Sequence, residues 1–472
     1  MTVHLQSDVA VIGAGMAGLV AANRAAQLGL KALVLEQSAA EKYLCNSRYT
    51  GGTLHIAYCD IMADADELMR TITESTQGHV RPELARMFAD EGRRVVRWLQ
   101  DEGSRFLKAS PAPYHRWVLA PPGRVRPGLD WEGRSGDVLL RMLEANLVKR
   151  GGALMRGVRA RALVSAEGAC TGLDAITADG AMRIDARAVV IADGGFQADP
   201  ELVGRYITPH PQRLMQRNAG TGRGDGLRMA QAIGAALIGT DRFYGHVLSR
   251  DALHNAQLWP YPYLDSLVAA AIVVASAGER FADEGAGGVS IANMIAHLAD
   301  PLDAWVVFDQ ASWETAGKHG LIPANPHLPR VGGTLHTATD LETLARTAGI
   351  TASALAQTVT RYNAALAQGR STTLAPPRSA KKGKPQPIAT PPYYAAPVCA
   401  GITYTMGGVM IDEHARALDA ERRPLPGLYV AGAAAGGLEG GPAIGYVGGL
   451  VKCGVTGLRA AEHIADRLLG RA

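Results

Sequence analysis

The sequence has few cysteines, no charge excess and no long apolar run, and each shortage closes off a class of function. Five cysteines (Cys45, Cys59, Cys170, Cys399, Cys453) are scattered through 472 residues, and no two form a C-x-x-C pair. Iron–sulfur clusters are held by grouped thiolates, so the pattern excludes one ligated by this chain, and isolated thiols suit a reducing compartment. Net charge is +4 from 48 basic and 44 acidic residues, which gives no electrostatic reason to bind nucleic acid or an anionic membrane. The longest strongly apolar run, Leu267–Ala275, is far short of the roughly 20 residues that span a bilayer, and no signal-peptide pattern precedes the first strand. No group of side chains has metal-ligand spacing, and G-x-S-x-G is absent. The expectation is a soluble, cytoplasmic protein with no metal, no nucleic acid and no membrane span.

Apolar mass and glycine are what the chain does have. With 47% apolar and 19% charged residues it can bury large cores, and its length points to two domains. From Asp8 the pattern reads as a strand (Val9–Ile12), a glycine turn (Gly13–Gly18), an alanine-rich helix (Leu19–Leu28) and a second strand (Ala32–Leu35). Residues 81–107 and Val138–Lys149 read as helices, strands follow to about Ile176, and Val189–Ala192 is a buried-type strand. Beyond residue 240 the chain is richer in proline, tryptophan and tyrosine, ending in a loop-like stretch at Pro376–Pro397. Residues 241–397 are therefore expected to form a domain inserted into a discontinuous nucleotide-binding domain, 1–240 and 398–472. The basic run Arg378–Lys384 reads as a solvated loop.

Gly13-Ala14-Gly15-Met16-Ala17-Gly18 is a G-x-G-x-x-G at a strand-to-helix junction, and Glu36 closes the second strand. Gly13 permits the tight turn, Gly15 lets a pyrophosphate approach the backbone, and Gly18 lets the helix lie close to the sheet. The helix start offers free N–H groups to the phosphates, and Glu36 can accept hydrogen bonds from ribose hydroxyls. In this full context the motif marks a dinucleotide site. Two features favour FAD over NAD. The motif opens the chain, and a glycine-rich segment at Gly448-Gly449 leads into a C-terminal helix that begins with Leu450 and whose first amides could face a flavin. A second G-x-G-x-x-G is absent, so a separate NAD(P)H domain is not expected.

On these and further blocks the chain resembles the flavoprotein subunits of fumarate reductase and succinate dehydrogenase, in the broad sense that includes tricarballylate and 3-ketosteroid dehydrogenases. The blocks are Val9–Glu36, Asn46–Gly52, Gly220–Gly226 with Met229-Ala230, Gly278–Glu284, Tyr404–Val409, Gly427–Gly437 and Gly448–Ala461. The resemblance implies an α/β fold, with a Rossmann-like FAD-binding domain and an inserted α+β capping domain that closes over the flavin. It extends the cofactor set from Gly13, Gly15, Met16, Ala17, Gly18 and Glu36 to Gln37, Asn46, Ser47, Thr50, Gly51, Gly52, Val158, Ala192, Gly194, Asp225, Gly432, Gly448, Gly449 and Leu450. Covalently flavinylated members carry a histidine in the block matching Asn46–Gly52. None stands here, so FAD should be bound non-covalently.

Departures from the family pattern narrow the chemistry. Ala433 stands where an acidic residue commonly follows Ala-Gly, and Tyr404-Thr405-Met406-Gly407-Gly408 replaces H-T-M-G-G. The proton-donating arginine of fumarate reductases has its counterpart at Gly288, and residues 427–458 contain no arginine. A dicarboxylate buried against a flavin needs cations within hydrogen-bond reach, so fumarate and succinate are not the expected substrates. The expected reaction is dehydrogenation of a CH–CH unit, or reduction of an activated alkene, by hydride transfer at flavin N5. The substrate would be a small neutral or singly charged molecule. Tyr404 and Tyr446 are the candidate proton-handling residues; Tyr261, Tyr263, Arg280 and Gly407 are candidates for the substrate side, with Arg280 and Glu284 read also as an ion pair of the cap. Two other readings stay open: an electron-relay subunit serving an electron-acceptor protein or a quinone, and a flavin-dependent oxygenase of a biosynthetic pathway.

Overall fold

The β-branched run Val9–Ile12 lies at the centre of an eight-stranded sheet. The full strand, Val3–Ile12, pairs in parallel with Ala32–Glu36 on one side and Gly180–Ile191 on the other. Ala153–Arg156 extends one flank in parallel, and Pro424–Val430 extends the other before an antiparallel edge strand, Arg416–Leu418. A hairpin, Arg159–Ala166 and Ala169–Thr177, joins antiparallel to Gly180–Ile191. One inner strand thus comes from beyond residue 400, so the sheet is complete only after the chain returns from an excursion. Helices Met16–Gln27 and Gly449–Leu469 pack on each other, with Gly457 close against the Ala17 carbonyl, where a β-carbon would sit 2.8 Å from the oxygen.

This computed structural model describes residues 3–123 and 130–470. The first helix begins at Met16, inside the glycine motif rather than after it. The helix read over 81–107 ends at Asp101. Gly103 turns the chain at φ +108°, and Phe106–Leu107 forms a short strand with Val118–Leu119.

A second core is built on the 13-residue strand Tyr393–Thr405. Its first half pairs with Trp305–Asp309, itself beside Ile272–Val274, and its second half pairs with Phe243–Ser249. The strand starts inside the proline-rich stretch and runs across residue 397. The same core takes Phe196, Leu202, Val203 and Leu214 from before residue 240. Hydrophobic continuity, which sequence composition does not report, therefore spreads this module over both seams.

Candidate active site

The G-x-G-x-x-G turn opens on a cleft at the ends of the parallel strands. Gly13 adopts φ +99°, and a β-carbon there would meet the Ala192 carbonyl at 2.7 Å. Gly18 lies against the Gly13 carbonyl, where any side chain would overlap it. Gly15 is different: its φ of −70° is ordinary, and a β-carbon would meet only Ser47 Oγ at 3.4 Å, on the cleft side. Ser47 Oγ accepts from Met16 N at 3.0 Å, one of the free amides of the helix start. Glu36 is buried beside it, taking Ser38 N at 2.9 Å, and burial pushes its carboxyl up.

Of the residues assigned to the cofactor from sequence, Gly13, Gly15, Met16, Ala17, Glu36, Gln37, Asn46, Ser47, Val158, Ala192, Gly194, Asp225 and Gly432 border this cleft. Gly18, Thr50, Gly51, Gly52, Gly448, Gly449 and Leu450 do not. Gly52 lies against Ser135, Thr50 Oγ1 accepts from Gly52 N at 3.1 Å, and a β-carbon on Gly51 would meet nothing within 4 Å. The block is anchored by Arg48, which pairs with Asp137 and donates to the Tyr43 carbonyl at 2.6 Å, both charged groups being buried. Asp225 is held by Arg159 at 2.8 Å.

The cleft also holds an unsatisfied acid that sequence reading passed over. Asp193 Oδ2 accepts from Gly226 N at 2.7 Å, whereas Oδ1 is buried without a hydrogen-bond partner among the described residues. Burial pushes its carboxyl up to about 7. An orphaned acceptor beside a cleft suits a hydroxyl-bearing ligand. Because the folded form holds this proton more tightly than the unfolded chain, the cofactor-free protein should lose stability as pH rises from about 4 to about 7. Asp193→Asn should flatten that slope, measured as urea midpoints across the pH range.

Beyond Ala433, which lines the cleft, the chain builds a second region from rings. Tyr404, Met406, Ile444 and Tyr446 form a small buried cluster, with Tyr244 and Ala433 packed on it. Tyr244 stacks on Tyr446 with centroids 4.0 Å apart, and Tyr58, His55 and Tyr114 continue the wall. His246 stacks on Tyr263 at 4.6 Å, and Tyr261 follows at 5.5 Å, with the Arg217 guanidinium over both tyrosines. Tyr58 remains 36% exposed although rings surround it, so this ring-lined region opens to solvent at Tyr58. Ala57, Tyr58 and Ile444 have positive φ without being glycine. Such backbone strain persists where the surrounding structure fixes a side chain for use.

Two polar constellations serve this chamber. Glu439, 0% exposed, accepts from Val447 N at 2.9 Å and Gly448 N at 3.1 Å, and pairs with Lys452, 1% exposed, at 3.4 Å. Tyr404 donates its hydroxyl to both Glu439 oxygens at 3.1 Å, and burial, then Glu439, raises the phenol well above its usual range. Tyr446 OH accepts from Gly449 N at 3.2 Å and also meets the Tyr244 hydroxyl. The second constellation joins Asp265, His246 and Tyr244 (Nδ1 to Oδ2 2.6 Å, Nε2 to OH 3.1 Å).

A β-bulge ties the chamber to the cleft. Tyr244 faces Tyr404 across the strands and Gly245 faces Ile402, which leaves Thr403 unpaired. Its carbonyl takes Asn46 Nδ2 from the cleft at 2.8 Å, and its hydroxyl takes Arg217 at 3.2 Å.

Three sequence expectations are narrowed here. Of the two readings of Arg280, the ion pair holds: its side chain is 4% exposed, with donors taken by Glu284 at 2.6 and 2.9 Å and by the Pro376 carbonyl. Gly407 lies under the Gly239 backbone, where a side chain would overlap it, so it is a close-approach position. The basic run is solvated except at its first residue. Arg378 is buried against the Ala269 carbonyl, whereas Lys381, Lys382 and Lys384 are exposed, and Lys382 Nζ stands 5.6 Å over the Tyr58 ring. Tyr58, Tyr244, His246, Asp265, Glu439 and Lys452 are absent from the sequence expectations. The alternation Tyr244-x-His246 in a short strand-like run was the available signal.

The model for the FAD binding domain family matches residues 8–445. The chain is 29% identical over 296 residues to a probable fumarate reductase of Shewanella frigidimarina, covering 60% of this chain and 46% of that protein. It therefore spans less than half the length of that relative. It is 27% identical over 549 aligned positions to 4-oxocyclohexanecarboxylate 2-dehydrogenase of Sinomonas cyclohexanicum, covering 98% of this chain and 93% of that protein. Among solved structures, a 3-ketosteroid Δ1-dehydrogenase from Sterolibacterium denitrificans superposes with a TM-score of 0.74, at 22% identity, covering 98% of this chain and all of the other. At that identity the likeness is one of fold.

Proposed function

The chain belongs to the FAD binding domain family, and on that footing we propose that it is an FAD-dependent oxidoreductase acting on a CH–CH bond or the corresponding alkene. The cofactor lies in the cleft, held by the Gly13–Ala17 turn, Glu36 and Asp193. When bound, FAD supplies or accepts the hydride. The module built on Tyr393–Thr405 is the cap, and the ring-lined chamber beside Ala433 receives substrate. The observation that carries this reading is continuity: Ala433, a residue of the cofactor cleft, packs on the Tyr404–Tyr446 cluster.

Chain residues have separate tasks in this reading. Tyr446, its oxygen held by Gly449 N, donates its proton to a substrate carbonyl. Tyr404 keeps its hydroxyl on Glu439 and offers its ring as a wall, so its part is positional. The aromatic lining favours a flat or cyclic substrate, and Arg217 and Lys382 accommodate at most a modest negative charge.

Anaerobic mixing with fumarate, 4-oxocyclohexanecarboxylate and a 3-oxo steroid tests this. A cyclic ketone should bleach the flavin's visible absorbance, and fumarate should leave reduced flavin unoxidised. Rapid reoxidation by fumarate would reject the substrate assignment. Acid precipitation should release all yellow colour into the supernatant, in keeping with non-covalent attachment.

A further inference from the structure

Removing a proton next to a carbonyl requires a base, and in the reading above neither Tyr404 nor Tyr446 is one. We propose that Asp265, His246 and Tyr244 form a proton relay, in which Tyr244 takes the substrate proton while passing its own to His246. The inference rests on the proposed CH–CH reaction and names the groups that carry its proton.

The geometry is that of an oriented base. Val247 N holds Asp265 Oδ1 at 2.9 Å, and Asp265 Oδ2 meets His246 Nδ1 at 2.6 Å. A carboxylate accepts only, so Nδ1 carries the hydrogen and Nε2 presents its lone pair to the Tyr244 hydroxyl 3.1 Å away. Tyr263 stacks on the imidazole and fixes its plane. The position at residue 288 is bare: a β-carbon there would overlap the Asp265 carboxylate, so glycine makes the room that the acid occupies. A bland buried histidine needs partners for its two nitrogens and no more. Here the chain of bonds ends on a phenol stacked against Tyr446, in the cluster that touches the cofactor cleft.

In dehydrogenation one C–H bond breaks as its proton goes to Tyr244 oxygen. The phenolic O–H breaks as that proton goes to His246 Nε2, and Asp265 offsets the imidazolium charge. The adjacent carbon gives up hydride, two electrons and a proton, to FAD, and a C=C bond forms. The reverse sequence delivers a proton to carbon. Burial is the main influence lowering the imidazole pKa, Arg217 adds to it, and Asp265 opposes both, so the resting ring is neutral and set to receive. Tyr244 and Tyr263 face the same ring, and Lys382 influences Asp265 from the other side.

The test uses holoenzyme mixed anaerobically with 4-oxocyclohexanecarboxylate or a 3-oxo steroid. Tyr244→Phe and His246→Ala should slow flavin bleaching by roughly 10²–10⁴-fold at unchanged FAD content. Imidazole added to His246→Ala should restore part of the rate. Asp265→Asn should lower kcat by at least about tenfold with KM nearly held, and shift the acid limb of the pH profile. Exposed His254→Gln should change nothing. Bleaching at the wild-type rate by Tyr244→Phe or His246→Ala would reject the relay and leave the reaction standing. A slow His246→Ala that neither responds to imidazole nor shifts its pH profile would reduce His246 to a packing residue. If neither probe bleaches the wild-type flavin, the proposed reaction fails and the relay falls with it.

Discussion

Gly15→Leu should purify as a folded, colourless protein. The backbone at this residue is ordinary, at φ −70° and ψ 178°, so leucine brings no strain. A β-carbon meets only Ser47 Oγ at 3.4 Å, which leaves the side chain to project into the space where a pyrophosphate would approach the helix amides. Added FAD should raise the melting temperature of the cofactor-free wild type, by the stability that a ligand at a thousand times its Kd confers, about 4 kcal/mol. The variant should show no such rise. Gly18→Leu separates this from general damage: there the side chain overlaps the Gly13 carbonyl, and the protein should not fold. A yellow Gly15→Leu protein would place the dinucleotide elsewhere.

The largest stability loss from one substitution in the chamber is expected at Lys452→Met. The lysine is 1% exposed, pairs with Glu439 at 3.4 Å and donates to the Met406 carbonyl at 3.1 Å. Removing it leaves a buried carboxylate without its counter-charge, a change that costs about 3–5 kcal/mol. Urea denaturation should show a midpoint shift of that size. The double variant Lys452→Met, Glu439→Gln should recover part of it, since a neutral amide can still accept from Val447 N and Gly448 N. Equal losses in single and double variants would mean that Lys452 acts through packing alone.

The sequence was legible where function depends on neighbouring residues. The turn at Gly13–Gly18 and the acid at Glu36 sit in one strand–helix–strand unit, and its spacing alone specified it. The chamber depends on residues far apart in the chain. Tyr58 comes from a turn strained at two successive residues, Asp265 from a helix start, and Glu439 and Lys452 from a glycine-rich stretch whose sequence carries no sign of their pairing. Likewise the proline content of residues 376–397 concealed the start of the strand on which the second core is built: Pro391 and Pro392 stop just before Tyr393, and Pro397 stands where the pairing passes from Trp305–Asp309 to Phe243–Ser249. Arg378 looked solvated because charge runs usually are. Its burial follows from Ala269 and Gly285, against which its guanidinium packs, while the lysines after it stay exposed.

The bare position at Gly288 also constrains how this protein could have arisen or could change. A side chain at 288 and the carboxylate of Asp265 need the same volume, so the two cannot be gained independently. A mutation at 288 alone pushes the acid off His246 and Val247. Loss of the acid alone leaves a void and an unoriented imidazole. Each single step is worse than either end point, which is sign epistasis written in van der Waals radii. Ancestral or engineered routes between an arginine at 288 and the present arrangement should therefore pass through paired substitutions, with 265 and 288 exchanging together.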